Sequence, residues 1–388
     1  MRTRLAIAAA IVAVLLVGGC SAPASQPVVT LPDRVAPTPA DPLEEYADAR
    51  LRAMSTREKV ASLLMLHVAG NSGRGIRNFM ATHDVGGLIL MGDNMPTSAA
   101  LTAAATLDGG LPPLIGIDQE GGIVRRVKSD TGASAGQLRG APISAATTTF
   151  ANRAKLLDSL GVSVNFGIVA DVTGDTSSFI YPRVLGTSAS ESSARVAAAV
   201  AGEHGTVFST LKHFPGHGVA PGDSHSSLPA TGMRLSQWRA AHAPPFEAGI
   251  EAGAEFVMFG HLVFSTVDPV PATLSAEWHR ILREELGFDG VIITDDMTML
   301  VNSGVAAYRD PAGNAIAALE AGNTMLLYVG GVDPAALITA ITAAVDDGRL
   351  DIAVIDAAAH RLLELRRGMS GETGPYVHCF EQCRALVD

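Results

Sequence analysis

Between Lys212 and His225 the chain reads Lys-His-Phe-Pro-Gly-His-Gly-Val-Ala-Pro-Gly-Asp-Ser-His. Three histidines, a lysine and an aspartate in so short a stretch carry more polar chemistry than a turn requires. Two kinds of site use those residue types. His213 and His217 have the four-residue spacing that binds zinc from a helix, but Pro215 and Gly216 between them break any helix there. A metal site is therefore disfavoured. The alternative is an acid/base pair. In extended chain, residues two apart face the same side, so the Asp223 carboxylate can accept from one nitrogen of His225 and leave the other free to move protons. A second acidic point is Asp295-Asp296. Neighbours on extended chain point oppositely, so one carboxylate faces a substrate as nucleophile, and Asp296 is expected to turn toward backbone donors.

These residues need elements to hold them. From about Glu44 onward, short apolar runs alternate with alanine-rich amphipathic stretches. The runs are Met65–Val68, Gly87–Met91, Leu114–Ile117, Val162–Val169, Phe208–Leu211, Phe256–Phe259, Val291–Thr294 and Met325–Val329. Helical patterns between and after them include Arg195–His204, Ser275–Leu286, Gly313–Ala321 and Pro334–Val345. The first helix is expected to open at Ser55, with Glu58 as its capping-box partner. The α/β rhythm fits a single (β/α)8 barrel of the TIM type over residues 44–368, ending in a helix over Asp351–Arg367 and a tail at 369–388. Asp118, Asp171, Lys212, His213, His261, Asp295 and Asp296 all fall just past or at the end of an apolar run. In a barrel those ends converge on one face, where active sites are built. That convergence points to an enzyme. His261 is read either as a substrate contact or as a brace for its neighbours.

Composition narrows the rest. The chain has 388 residues, 47% hydrophobic and 17% charged, with a formal net charge of −11. It is expected to be globular. No basic stripe offsets the negative charge, so nucleic acid is not an expected partner. Gly132–Gly136 fits a nucleophile-elbow pattern, but no strand precedes it, and an elbow requires strand–turn–helix. Neither a phosphate loop nor a dinucleotide glycine fingerprint is present. No cofactor and no metal are expected.

The termini read differently. Arg2 and Arg4 precede an apolar run, Leu5–Val17, too short to span a bilayer. Val17-Gly18-Gly19-Cys20 resembles a bacterial lipobox. That resemblance makes 1–20 a signal peptide and Cys20 a lipidated N-terminus, tethering an extracytoplasmic protein to the cell membrane. Residues 21–43 are proline-rich and read as a disordered linker. Cys379 and Cys383 are left to a disulfide, a metal site with His378, or neither.

Lys-His-Phe-Pro-Gly-His-Gly at 212–218 with Asp-Ser-His at 223–225 resembles the signature of glycoside hydrolase family 3, in its bacterial β-N-acetylglucosaminidase branch. The likeness extends through Gly86–Leu90, Asp118–Gly122, Asn165-Phe166 with Asp171, Ala272–Ser275 and Glu284–Met297. It implies that Asp295 is the nucleophile, and His225 the general acid/base oriented by Asp223 on a loop that closes over the sugar. Asp118, Arg126, Arg183, Lys212 and His213 would grip a terminal β-linked N-acetylglucosamine. The implied reaction is retaining hydrolysis through a covalent glycosyl–enzyme intermediate, with peptidoglycan fragments as substrate and the protein acting as a monomer. Phosphorolysis, a preference for glucose, a substrate-assisted route through Asp295 or Asp296, and a sugar-binding lipoprotein remain the alternatives. The chain departs from the family pattern at Ile123, where arginine is usual, and at Val184-Leu185, in place of Ser-Phe.

Overall fold

Continuous apolar strands need cover on both faces, and parallel strands joined by crossover helices supply it. The computed structural model describes residues 41–107 and 110–376. Cys20, the linker up to residue 40, and Cys379 and Cys383 lie outside them. Eight strands form one parallel sheet: β1 (Leu64–His67), β2 (Gly87–Leu90), β3 (Leu114–Ile117), β4 (Val164–Val169), β5 (Phe208–Phe214), β6 (Phe256–Phe259), β7 (Val291–Thr294) and β8 (Leu326–Tyr328). Each pairs with its sequence neighbour from β1 to β7, and β8 pairs with β1. A parallel bridge between Ile293 and Met325 brings the two remaining edges together. The expected (β/α)8 barrel is thus the observed architecture, flanked by helices such as Ile143–Ser159, Ala189–Glu203, Pro311–Ala321 and Pro334–Asp346.

Two packing features fix this frame. A Cβ added at Gly116 on β3 would stand 2.7 Å from the Phe166 ring and 3.0 Å from the Met65 sulfur. The missing side chain is what lets those two large groups share the interior at native density. On the outside, Ile352–Ser370 packs against a helix that the sequence reading did not expect, Pro42–Ala53. Asp41 caps it by accepting from the Leu43 N–H, Pro42 occupies the first turn, and the Arg367 guanidinium lies 4.2 Å over the Tyr46 ring. Proline at the first helical position is pre-set for the helix and loses no bond, so Pro42 begins an element where it was read as linker. The second helix, Thr56–Ser62, has the expected Ser55–Glu58 capping box.

Strand β5 runs further than its apolar run, through Lys212 and His213 to Phe214. Its pairing with β6 shifts register between Leu211 and Phe214, and that of β4 with β5 shifts between Asn165 and Ile168. Such irregularities re-aim side chains that strict alternation would send to opposite faces.

One buried acid marks the packing of a helix onto these strands. Glu203, fully buried at the end of Ala189–Glu203, accepts from Asn165 Nδ2 on β4 and, at 2.9 Å, from Ser209 Oγ on β5. Burial pushes its carboxyl up to about 8, against the opposing pull of those two donors. A folded-state pKa above the unfolded value of 4.5 means that its stabilising contribution is complete below about pH 4.5 and fades as pH rises through about 8. Buried His217 and His279, both pushed down to about 4, act in the opposite sense, but only below their unfolded value of 6.5. Between pH 6.5 and 8, wild-type stability should therefore fall by up to about 1.4 kcal/mol per pH unit, and Glu203→Gln should flatten that slope. Denaturant titrations across this window check it; parallel wild-type and variant slopes would refute it.

Candidate active site

At the C-terminal ends of β3, β4 and β5 the charged residues form one connected chain. Lys212, 2% exposed at its side chain, donates from Nζ to Asp118 Oδ1 at 2.9 Å and lies 2.7 Å from Glu120 Oε1. Arg126 Nη2 donates to the other Asp118 oxygen at 3.1 Å. Arg183 grips Glu120 with two parallel bonds, from Nε at 2.9 Å and Nη2 at 2.7 Å, the geometry for which guanidinium is suited. Its Nη2 also lies 3.2 Å from His213 Nε2. His213 Nδ1 in turn donates to Asp171 Oδ2 at 2.7 Å. Arginine can only donate, so both ring nitrogens of His213 are engaged and neither is left for a metal.

Local structure explains how these side chains meet. Asp118 and Glu120 are two apart on extended chain, at the end of β3 and in the hairpin of Gln119–Gly121 with Val124–Arg125. Gln119, between them, points the other way: its Oε1 accepts from the Arg126 and Val127 N–H groups, fixing the hairpin's return. Arg183 sits on the loop after β4, where Val184 and Ile180 pack on Val169 and Arg139 donates to the Tyr181 and Val184 carbonyls. Val184 and Leu185 are both buried, so this departure from the family pattern supports the arginine's loop from beneath. Ile123 is 71% exposed at the hairpin tip, outside the ion-pair chain.

The charges set the protonation states. Burial alone would raise the Glu120 carboxyl, but Arg183 and Lys212 together bring it down to about 2. Asp118 is likewise held below its usual range, Lys212 and Arg126 outweighing burial. Lys212 is raised, because Asp118 and Glu120 overcome the desolvation that would lower it.

Asp295 follows β7, its N–H donating to the Phe259 carbonyl at 2.9 Å. Its Oδ1 accepts from the Asp296 N–H at 2.8 Å, and no hydrogen bond from the described residues reaches Oδ2. Burial opposes its charge, but His213, His261, the Asp296 N–H and Lys212 hold the carboxyl below its ordinary value. Asp296, as expected, is spent on structure: Oδ1 accepts from the Thr298 and Val329 N–H groups and Oδ2 from the Thr298 hydroxyl. His261 is a brace. It is buried, with Nε2 donating to the Asp296 carbonyl at 3.0 Å and Nδ1 paired with the Thr273 hydroxyl at 2.8 Å.

The Asp223–His225 pair forms on an exposed loop. His225 donates to Asp223 Oδ1 from its own N–H at 3.0 Å and from Nδ1 at 2.5 Å, and Nε2 has no partner among the described residues. Its side chain is 64% exposed. Phe179 links this loop to the buried cluster: its ring lies 6.4 Å from His225 and 4.7 Å from His217. His217 was not assigned a role by the sequence reading. It is buried, its N–H donates to Asp171 Oδ1 at 2.5 Å, and neither ring nitrogen has a partner among the described residues. Gly218 permits this approach, since a Cβ there would stand 2.2 Å from the Val172 carbonyl oxygen. Glu120 was also missed as a site residue, although its spacing from Asp118 was a usable signal.

Removing one member of a buried ion-pair chain strands its partners. Lys212→Met would leave Asp118 and Glu120 facing one another with only their arginines. Denaturant unfolding should show a loss of about 3–5 kcal/mol; a loss below about 1 kcal/mol would mean that the arginines satisfy both carboxylates unaided.

Comparison with known proteins agrees with this geometry. The profile of the glycosyl hydrolase family 3 N terminal domain matches residues 55–365. A β-hexosaminidase of Methylococcus capsulatus is 36% identical over 261 residues, covering 65% of this chain and 77% of the relative. The structure is similar to a family 3 β-N-acetylglucosaminidase from a Paenibacillus species, with TM-score 0.76, 30% identity, and coverage of 84% of this chain and 65% of that one. It is also similar to a β-N-acetylhexosaminidase from Beutenbergia cavernae, with TM-score 0.71, 29% identity, and coverage of 81% and 98%. The ion-pair chain, the unpaired Asp295 oxygen and the Asp223–His225 pair are thus set in a barrel of known kind: the chain belongs to glycosyl hydrolase family 3 and is a glycoside hydrolase.

Proposed function

We propose that this enzyme removes terminal β-linked N-acetylglucosamine from peptidoglycan fragments, with retention at the anomeric carbon, while held at the outer face of the cell membrane by a lipid on Cys20. The observation that carries the reaction is the asymmetry of the acidic pair. Asp296 has both oxygens committed to hydrogen bonds, whereas Asp295 keeps Oδ2 open in a cluster that favours its charged form. In the first step Asp295 Oδ2 attacks the anomeric carbon as His225 gives its Nε2 proton to the departing glycosidic oxygen. The C1–O bond breaks and a glycosyl ester forms on Asp295. In the second step His225 takes a proton from water, the water oxygen bonds to C1, and Asp295 is released. Two displacements on opposite faces restore the original configuration.

The roles of the neighbours follow from charge and direction. Asp223 holds the His225 ring through Nδ1, so that Nε2 is the nitrogen that exchanges protons. A histidine is suited to give and then retrieve a proton near neutral pH. Asp118 and Lys212 present a carboxylate and an ammonium side by side for sugar hydroxyls, and Arg126, Arg183 and His213 complete the cradle. The preference for the 2-acetamido sugar is supported by the names of the relatives, β-hexosaminidase and β-N-acetylglucosaminidase.

Kinetics on chromogenic β-glycosides test this reading. The enzyme should hydrolyse the 2-acetamido sugar well ahead of plain β-glucoside, and Asp295→Ala should abolish both activities. His225→Ala should lose about 10²–10⁴-fold with poor leaving groups, which need the proton, and much less with 4-nitrophenolate-like ones. Equal inertness of wild type and Asp295→Ala on every sugar would discard the enzymatic reading.

A further inference from the structure

Beside the sugar cradle, on the flank of the barrel, lies a cavity of about 550 Å³ that the proposed reaction does not use. Its walls are the segment after β2, the stretch that follows the hairpin, and the last turn of Ile143–Ser159 with Leu160. Met95, Leu156 and Leu160 give it an apolar side. Arg125, Arg126 and Lys128 also line it, and no carboxylate is among the lining residues. In a chain of net charge −11, three cations line one cavity, and among the described residues only Arg126 of the three has an ion-pair partner, Asp118.

Their hydrogen bonds are incomplete. Arg126 spends Nη2 on Asp118 and Arg125 spends Nη1 on the Asp130 carbonyl. Arg125 Nη2 and Arg126 Nη1 have no partner among the described residues and are not closed off from solvent, and both residues line the cavity. Guanidinium nitrogens can only donate, so what they call for is an acceptor. The group that suits two guanidinium donors and an ammonium is an oxyanion, since carboxylate and phosphate oxygens accept charge-assisted bonds from guanidinium. The volume is in the range of small-molecule sites, and its mixed lining suits a ligand that is part apolar.

We propose that this cavity is an oxyanion subsite, taking a carboxylate or phosphate carried on a small molecule and coupled to the sugar cradle through Arg126. Arg126 is common to both, with Asp118 on its cradle side. An anion on the other side therefore changes how firmly Asp118 is held, and with it the grip on the sugar. The anion has two possible sources, an acidic aglycone of the substrate or a free anion from solution. The coupling rests on the glycosidase reading above; anion binding itself does not.

Inorganic phosphate and a pair of chromogenic substrates separate these cases. Melting temperature and calorimetry with phosphate would be measured on wild type, on Lys128→Gln, which alters an exposed side chain, and on Arg125→Gln. The same proteins would be assayed on 2-acetamido-β-glucosides of 4-nitrophenol and of 3-carboxy-4-nitrophenol. Phosphate is expected to bind and stabilise wild type and to lose most of that effect in both variants. If the aglycone is the source, wild type should favour the carboxylated substrate about tenfold in kcat/KM, the size of one charge-assisted hydrogen bond, and the variants should fall to parity. If a free anion is the source, the two substrates should be equal, and phosphate should shift KM for the neutral one in wild type but not in the variants. Phosphate binding that survives in the variants, or its absence together with an unchanged substrate preference, would overturn the proposal. Phosphate binding that responds to Lys128→Gln in a protein inert on both glycosides would uphold the subsite while removing the glycosidase reading.

Discussion

Lys212 answers two carboxylates with one ammonium, and the geometry of the site depends on that imbalance. Asp118 at the end of β3 and Glu120 in the hairpin converge on its Nζ, and each takes an arginine as well, Arg126 for the first and Arg183 for the second. Every link lies at the C-terminal end of a strand or on the loop that follows one. The chain therefore ties β3, the loop after β4, and β5 together where the barrel opens. Each carboxylate is held by two cations, and Lys212 is the one shared between them, so its loss weakens both pairs at once.

The proton-transfer pair is built the opposite way. Asp223 and His225 bond tightly to each other but stand in solvent on a loop rich in glycine and proline, with Phe179 as their ring contact. In the proposed reaction a buried cradle and an exposed dyad divide the labour, the first holding the sugar and the second serving the leaving group. His217 lies between the two. It is kept neutral by burial and by His213, it is edge-on to Phe179, and its nitrogens are unspent.

Much of this was legible in the sequence. The runs Leu114–Ile117, Phe256–Phe259 and Val291–Thr294 are the strands as they stand, because a fully buried parallel strand is written as an unbroken apolar run. Asp296 turns to backbone donors as expected, but the cause is the turn into Thr298–Asn302 past the end of β7 rather than strand alternation. What was hidden depended on tertiary context. The apolar run marks the strand only to Leu211, with Lys212 and His213 at its end, whereas β5 continues through both to Phe214 because ion pairs satisfy them there. Helix Pro42–Ala53 precedes the first helix expected, at Ser55, and only its first two residues, Pro42 and Leu43, fall in the expected linker; proline at a first turn starts a helix. The unpaired nitrogens of His217 are a property of neighbours that no spacing rule specifies.

The claim on which the account turns is that Asp295, and not Asp296 or the sugar's own acetamido group, bonds to the anomeric carbon. A 5-fluoro-2-acetamido-β-glucosyl fluoride, which slows breakdown of such an ester more than its formation, would be incubated briefly with the enzyme and followed by intact-protein mass spectrometry and peptide mapping. The account predicts a mass gain of one fluorinated sugar, located on Asp295. Turnover of the probe with no adduct, or an adduct on any other residue, would contradict it.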